Sequence, residues 1–419
     1  MGCIPGRLLV TALAATLAAS VPTTAQRPQA KPEPQRSYWV YAGAESADTI
    51  HRIRLDPAGL TVERTIPIGE LSAEMEGPHG LQITPDGKFL YMTTGHGKPD
   101  GKLWKYELGT AESGGDRLVG DGIPLGNFPA SIDVTPDGLY ALSVNFNLHG
   151  DMVPSTVSVV FTPTMTEVTR VVTCTMPHGS RMAPSGFFQY STCMMDDQLV
   201  EVDTRTFEVS RRFSVASDAE KAIPLDNAGA HDMHAGHDMS GMAGMSSTAK
   251  PVTVPVDPAE VGYAAGERHE MTPASCSPTW AQPSHDGTKV FVACNKSDVI
   301  VEVDTATWTM TRKLSTGRGV YNLAVSPDGR LLVATLKQGH MVEVFDLADG
   351  KSLAQIKTSN RIAHGVVVSP DSRYAFVTSE GIGAEPGKVD AIDLGTMKVV
   401  GTVDIGQQAS GIAFWKMQR

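Results

Sequence analysis

GLQITPDGKFLYMTT (80–94) contains an apolar segment, a Thr-Pro-Asp-Gly turn and an alternating apolar strand. Each turn residue has a physical reason. Proline presets its φ, Asp bonds the backbone two residues on, and Gly takes positive φ at little cost. The pattern returns in SIDVTPDGLYALSV (131–144), NLAVSPDGRLLVATL (322–336) and GVVVSPDSRYAFVTS (365–379). Looser copies are GSRMAPSGFFQYSTC (179–193) and WAQPSHDGTKVFVAC (280–294). With Pro85, Pro136, Pro184, His285, Pro327 and Pro370 as register marks, the steps are 51, 48, 101, 42 and 43 residues. The long step is one ordinary repeat plus an insertion of roughly 55–60 residues.

Each repeat continues into a third strand ending in Asp: LVEVD (199–203), IVEVD (300–304), VEVFD (342–346) and VDAID (389–393). A fourth strand follows, as in FEVSRRFSV (207–215) and MKVVGTVDI (397–405). Four short strands in a period of 40–50 residues is a propeller blade. Period-two alternation and tight turns favour strands over helices. Six complete units begin near residues 79, 129, 178, 279, 321 and 364. Residues 37–69 supply three strands and lack a first. QASGIAFW (408–415) is a first strand with nothing after it. Together they complete a seventh blade and leave no open sheet edge. The sequence therefore predicts an all-β, seven-bladed β-propeller over 37–415, with four antiparallel strands per blade and both termini sharing one blade.

These SPDGxxLYVT-like second strands and VxVID-like third strands resemble the YVTN-type β-propeller repeat family of exported proteins. The resemblance covers residues 37–415 apart from the insertion. It implies the fold and an exported location, and leaves function open, because propellers host many activities.

Arg7 is the only charged residue before Arg27, and the apolar run Leu8 to Ala15 follows it. Small residues lead to Ala25. Residues 1–25 read as a cleavable secretory signal with cleavage near Ala25. The run is too short to span a bilayer. Residues 26–36 (QRPQAKPEPQR) read as a Pro-rich disordered spacer. A periplasmic or secreted protein, not embedded in the membrane, is expected. The formal charge of −11 is scattered, which argues against a nucleic-acid partner.

Blades connect at one face, called the top here. His79, His178 and His364 share one register, six residues before their turn marks, and each precedes Gly. They fall in blades two, four and seven, the most even split available in a ring of seven, and should meet at the channel mouth. Ala130, Thr279 and Tyr321 hold the same register. The loops between second and third strands add His96, His149 and His340 to the top face. Imidazole is the commonest protein ligand for copper and zinc, so these six are candidate metal ligands. The alternative is that His-Gly merely suits the turn into the first strand, its ring bonded to backbone.

The insertion, 216–272, is expected to be a flexible loop. It carries AHDMHAGHDMSGMAGM (230–245), with His231, His234, His237, Met233, Met239, Met242 and Met245. Thioethers suit Cu(I) and imidazoles Cu(II). Such His/Met tracts resemble those of periplasmic copper-handling proteins. Copper is the expected cofactor, and a periplasmic electron-transfer or metal-delivery protein the expected partner.

Cys3 lies within the signal. Cys174 and Cys276 each precede a first strand, and Cys193 and Cys294 end the adjacent second strands. Antiparallel neighbours bring each pair together, which predicts disulfides Cys174–Cys193 and Cys276–Cys294. A free-thiol Cu(I) site is the rival reading.

Three functions compete. One is a copper-binding periplasmic protein with a capture loop and a histidine cluster. Another is a copper-dependent oxidoreductase. The architecture resembles the propellers of nitrous oxide reductase and copper thiocyanate dehydrogenase, but no Cys-rich cupredoxin domain follows residue 415 and histidines are few for a four-copper cluster. The last is a metal-free interaction scaffold. CxxCH and Gly-Xaa-Ser-Xaa-Gly are absent, so covalent haem is excluded and no nucleophile elbow is present.

Overall fold

The computed structural model describes residues 1–2, 34, 36–70, 74–96, 101–109, 115–225 and 273–418. From Ser37 onward these residues form seven antiparallel sheets arranged in sequence order. The innermost strands are Pro78–Ile83, Pro129–Val134, Pro177–Met182, Pro278–Pro283, Val320–Val325 and Ala363–Val368 in blades two to seven. Blade one takes its innermost strand, Ala409–Gln418, from the C-terminus and the other three from Ser37–Ala44, Thr49–Asp56 and Gly59–Pro67. This is the closure the sequence predicts. Among the described residues no helix is long and apolar enough to cross a membrane.

Two blades depart from four regular strands. In blade two the fourth strand is split into Arg117–Leu118 and Ile123–Pro124, which both pair with Lys102–Glu107. Gly120 and Gly122 between them have φ of +73° and +69°, which breaks the extended backbone. In blade four, Lys221–Ile223 pairs with Glu208–Ser214 as a fifth strand. The start of the expected flexible loop thus covers an open sheet edge. Residues 231–245, with all the insertion's candidate ligands, lie outside the described residues.

The core is divided among seven apolar clusters, one between each pair of neighbouring blades. Val40 and Ile53 meet Phe376 and Val389 between blades one and seven, for example. Fully burying one such phenylalanine contributes about 2–3 kcal/mol. Small residues let the inner strands approach. A Cβ on Gly80, Gly179 or Gly411 would lie 2.1–2.2 Å from a backbone carbonyl oxygen of the next blade. The glycine of His-Gly is therefore a packing requirement, and it places no demand on the residue before it.

Turn chemistry follows the repeat. The carboxylates of Asp86, Asp137, Asp328 and Asp371 accept the backbone N–H two residues on, and those of Asp203, Asp304, Asp346 and Asp393 do the same after the third strands. Both predicted disulfides are present, Cys174–Cys193 and Cys276–Cys294. They brace the blades on either side of the insertion and remove these four thiols as metal ligands.

Candidate metal centre at the channel mouth

The second residue of every innermost strand lies at the channel mouth: Ser410, His79, Ala130, His178, Thr279, Tyr321 and His364 from blade one to blade seven. Hydroxyls of neighbouring blades hold this ring in place. Thr93 donates to the Ala130 carbonyl at 3.0 Å, Ser131 to His178 at 2.7 Å, and Thr335 to His364 at 2.8 Å. The backbone positions are thereby set before the side chains interact.

The three ring histidines meet. The His79 ring centroid lies 5.9 Å from that of His178 and 5.8 Å from that of His364. Their environments differ. The His178 Nδ1–H donates to the Thr279 carbonyl at 3.0 Å, which leaves Nε2 to accept from the Tyr321 hydroxyl at 3.1 Å. Burial holds this imidazole neutral, with its pKa pushed down to about 3. Both ring nitrogens are engaged, so His178 positions Tyr321. His364 is buried too, and its Nδ1 has no hydrogen-bond partner among the described residues. Burial, then the nearby Lys337 ammonium, holds its pKa well below the usual imidazole value.

A second set of positions covers the first. The residue directly after each second strand is Glu45, Gly95, Phe146, Met194, Asn295, Lys337 and Glu380 around the ring. Glu45 is 2 % exposed and accepts from His79 Nδ1 at 2.8 Å, His96 Nε2 at 2.8 Å and Gln408 Nε2 at 3.1 Å. Burial opposes its ionisation, but the imidazoles outweigh it and hold the carboxyl well below the usual range. Its ion-pair partners among the described residues are imidazoles alone. Donor atoms of Glu45, His79 and His364 lie within 4.8 Å of one another. Lys337 pairs with Glu380 at 2.7 Å beside them, over the Tyr321 ring.

His96 and His149 extend this cluster. Their rings lie 6.0 Å apart, packed edge-on around Phe128. His149 is exposed. His340 stands apart, for a reason the register supplies. It directly precedes a third strand at φ +55°, as Asp48, Asp197 and Asp298 do at +47°, +49° and +54°. Each of those carboxylates accepts backbone N–H groups from the connector to the next blade. His340 Nδ1 accepts from Ile362 N–H at 3.1 Å in the same way. It pins a connector.

Glu45 is the candidate ligand that a search for histidines misses. Its signal is positional: carrying the end-of-second-strand register into GAESADT places Glu45 over the mouth.

No family model matches the chain, and no curated protein matches it. Among solved structures it is similar to the periplasmic gluconolactonase PpgL of Pseudomonas aeruginosa, at 16% identity over 91% of this chain and 99% of that one, with a TM-score of 0.63. A protein from Lactobacillus plantarum aligns at 16% identity over 91% and 100%, with a TM-score of 0.61. The hydrazine synthase of Kuenenia stuttgartiensis aligns at 15% identity over 82% and 93%, with a TM-score of 0.55. At such identities the likeness is one of fold.

Proposed function

We propose that this protein is an exported transition-metal-binding propeller whose metal site is the channel mouth, with Glu45, His79 and His364 as ligands and copper as the metal. The observation that carries this reading is the convergence of those three donors within 4.8 Å. The imidazoles of His79 and His96 hold Glu45 ionised, which makes it an anionic oxygen donor for a cation. Two imidazoles and one carboxylate form a nitrogen–oxygen donor set that suits Cu(II) and Zn(II), and copper leads the affinity order for such sets. His96 orients the carboxylate from its far side, as outer-shell partners of metal ligands do. His149 and the 230–245 segment are the outer capture groups, and delivery is from the periplasm.

The test is metal content by elemental analysis of protein purified from copper-supplied periplasm. One copper per chain is expected in the parent and in a deletion of residues 230–245, with less than a tenth of that in a Glu45→Gln/His79→Ala/His364→Ala variant. Copper lost with the deletion alone would move the site to the inserted segment. No copper in the parent would leave a metal-free scaffold.

A further inference from the structure

Below the histidines, the channel holds two chambers that meet at Arg181. The upper one is lined by Trp280, Asn322 and His364, and the lower one by Gln82, Gln282 and the apolar side chains of Ile83, Val366 and Ile412. The lower chamber offers about 240 Å³ and the upper one about 30 Å³. Arg181 lines both, 23% exposed along its side chain, and its guanidinium lies over the Trp280 ring at 4.5 Å. It donates to its neighbour's carbonyl, Ser180 O, at 3.0 Å, and a carboxylate oxygen of Asp133 is 4.0 Å away. A guanidinium carries five N–H donors, so most of this fork is uncommitted. Trp280 is 7 % exposed, and its Nε1–H, which can only donate, has no partner among the described residues. The upper wall also contains a buried amide oxygen, Asn322 Oδ1, without a partner among the described residues. Buried polar groups in folded proteins are nearly always paired, and a cluster of orphans around one cavity marks a place where a ligand or ordered water belongs.

We propose that this channel holds a small organic carboxylate, its head group on Arg181 and the Trp280 N–H and its hydrocarbon part in the lower chamber. The chemistry selects this class. A guanidinium matches a carboxylate with two parallel hydrogen bonds. The nearby Asp133 carboxylate disfavours a doubly charged oxyanion. The wall of the lower chamber is chiefly polar but includes Ile83, Val366 and Ile412, whose contact a short hydrocarbon chain can use and an inorganic ion cannot. The site lies directly below the Glu45/His79/His364 donors, and His79 and His364 both line its upper chamber.

Titration calorimetry of the full chain with sodium butanoate, in EDTA at constant ionic strength, tests this. Saturable binding is expected, with a Kd on the order of 1 mM. Arg181→Met should weaken it more than tenfold. Trp280→Phe keeps an aromatic ring under the guanidinium while removing the N–H and the second ring of the indole, and should weaken butanoate about three- to tenfold. Phosphate should bind at least tenfold more weakly than butanoate. Absence of saturable binding to folded parent protein, unchanged affinity in Trp280→Phe, or equal affinity for phosphate would each overturn the proposal. Binding seen only after copper is added would place the carboxylate on the metal instead, and would overturn it too.

Discussion

Glu45→Gln is the most informative single change at the channel mouth. Glutamine keeps the shape and one acceptor oxygen, but it removes the charge and turns an amide N–H toward one of two imidazole N–H donors, those of His79 and His96 at 2.8 Å. Hydrogen bonds to charged groups contribute about 1.5–3 kcal/mol each. Losing one and weakening the other costs about 2–4 kcal/mol in metal-free protein. For a ring of this size the entropy of unfolding is roughly 0.8 kcal/mol per degree, so the melting temperature should fall by about 3–5 °C. Metal adds a second readout. Copper at a hundred times its Kd stabilises the folded parent by about 2.7 kcal/mol, a rise of about 3 °C. Glu45→Gln should lose most of that rise. The assay is thermal melting by circular dichroism, with EDTA or with copper, on both proteins. A variant that melts with the parent in EDTA and shifts as much with copper would refute the reasoning from both sides.

Two further outcomes follow from neighbouring groups. His340→Ala strands the Ile362 N–H and should cost about 1–2 kcal/mol, measured by urea unfolding, while His340→Asp restores the connector bond and copper content stays at the parent level in both. A copper loss in His340→Ala would place that ring in the metal site after all. Asp133 gives a pH signature. Burial raises its pKa from 3.8 to about 6, against the pull of Arg181 and the Ser180 hydroxyl. A raised carboxyl stabilises the fold fully below its unfolded pKa and loses that contribution as pH climbs through the folded one. The parent should therefore lose on the order of 3 kcal/mol between about pH 4 and 6 relative to Asp133→Asn. Parallel melting curves for the two proteins across that window would sink this assignment.

The sequence by itself determined the blades. Alternation, Pro-Asp-Gly turns and Asp-terminated third strands are local, so each of them is legible within fifteen residues, and the repeat period then dictates the ring. Register also paired the cysteines, because the residues leading into a blade's first strand lie beside the end of its second strand, and it brought His79, His178 and His364 to one mouth. What each of those histidines does is set by contacts between blades far apart in the chain. His178 is satisfied by Thr279 and Tyr321, 101 and 143 residues away, and so is spent on structure. Glu45 reaches His79 only because the C-terminal strand closes blade one against blade two, and no local pattern distinguishes it from a surface glutamate. His340 looked like its fellow top-face histidines until its backbone conformation placed it with Asp48, Asp197 and Asp298. Arg181, inside the first of the two looser repeat copies, reads as an ordinary polar strand residue. Only closure of the ring turns it inward beside Trp280 and leaves its donors facing a chamber that seven separate segments enclose.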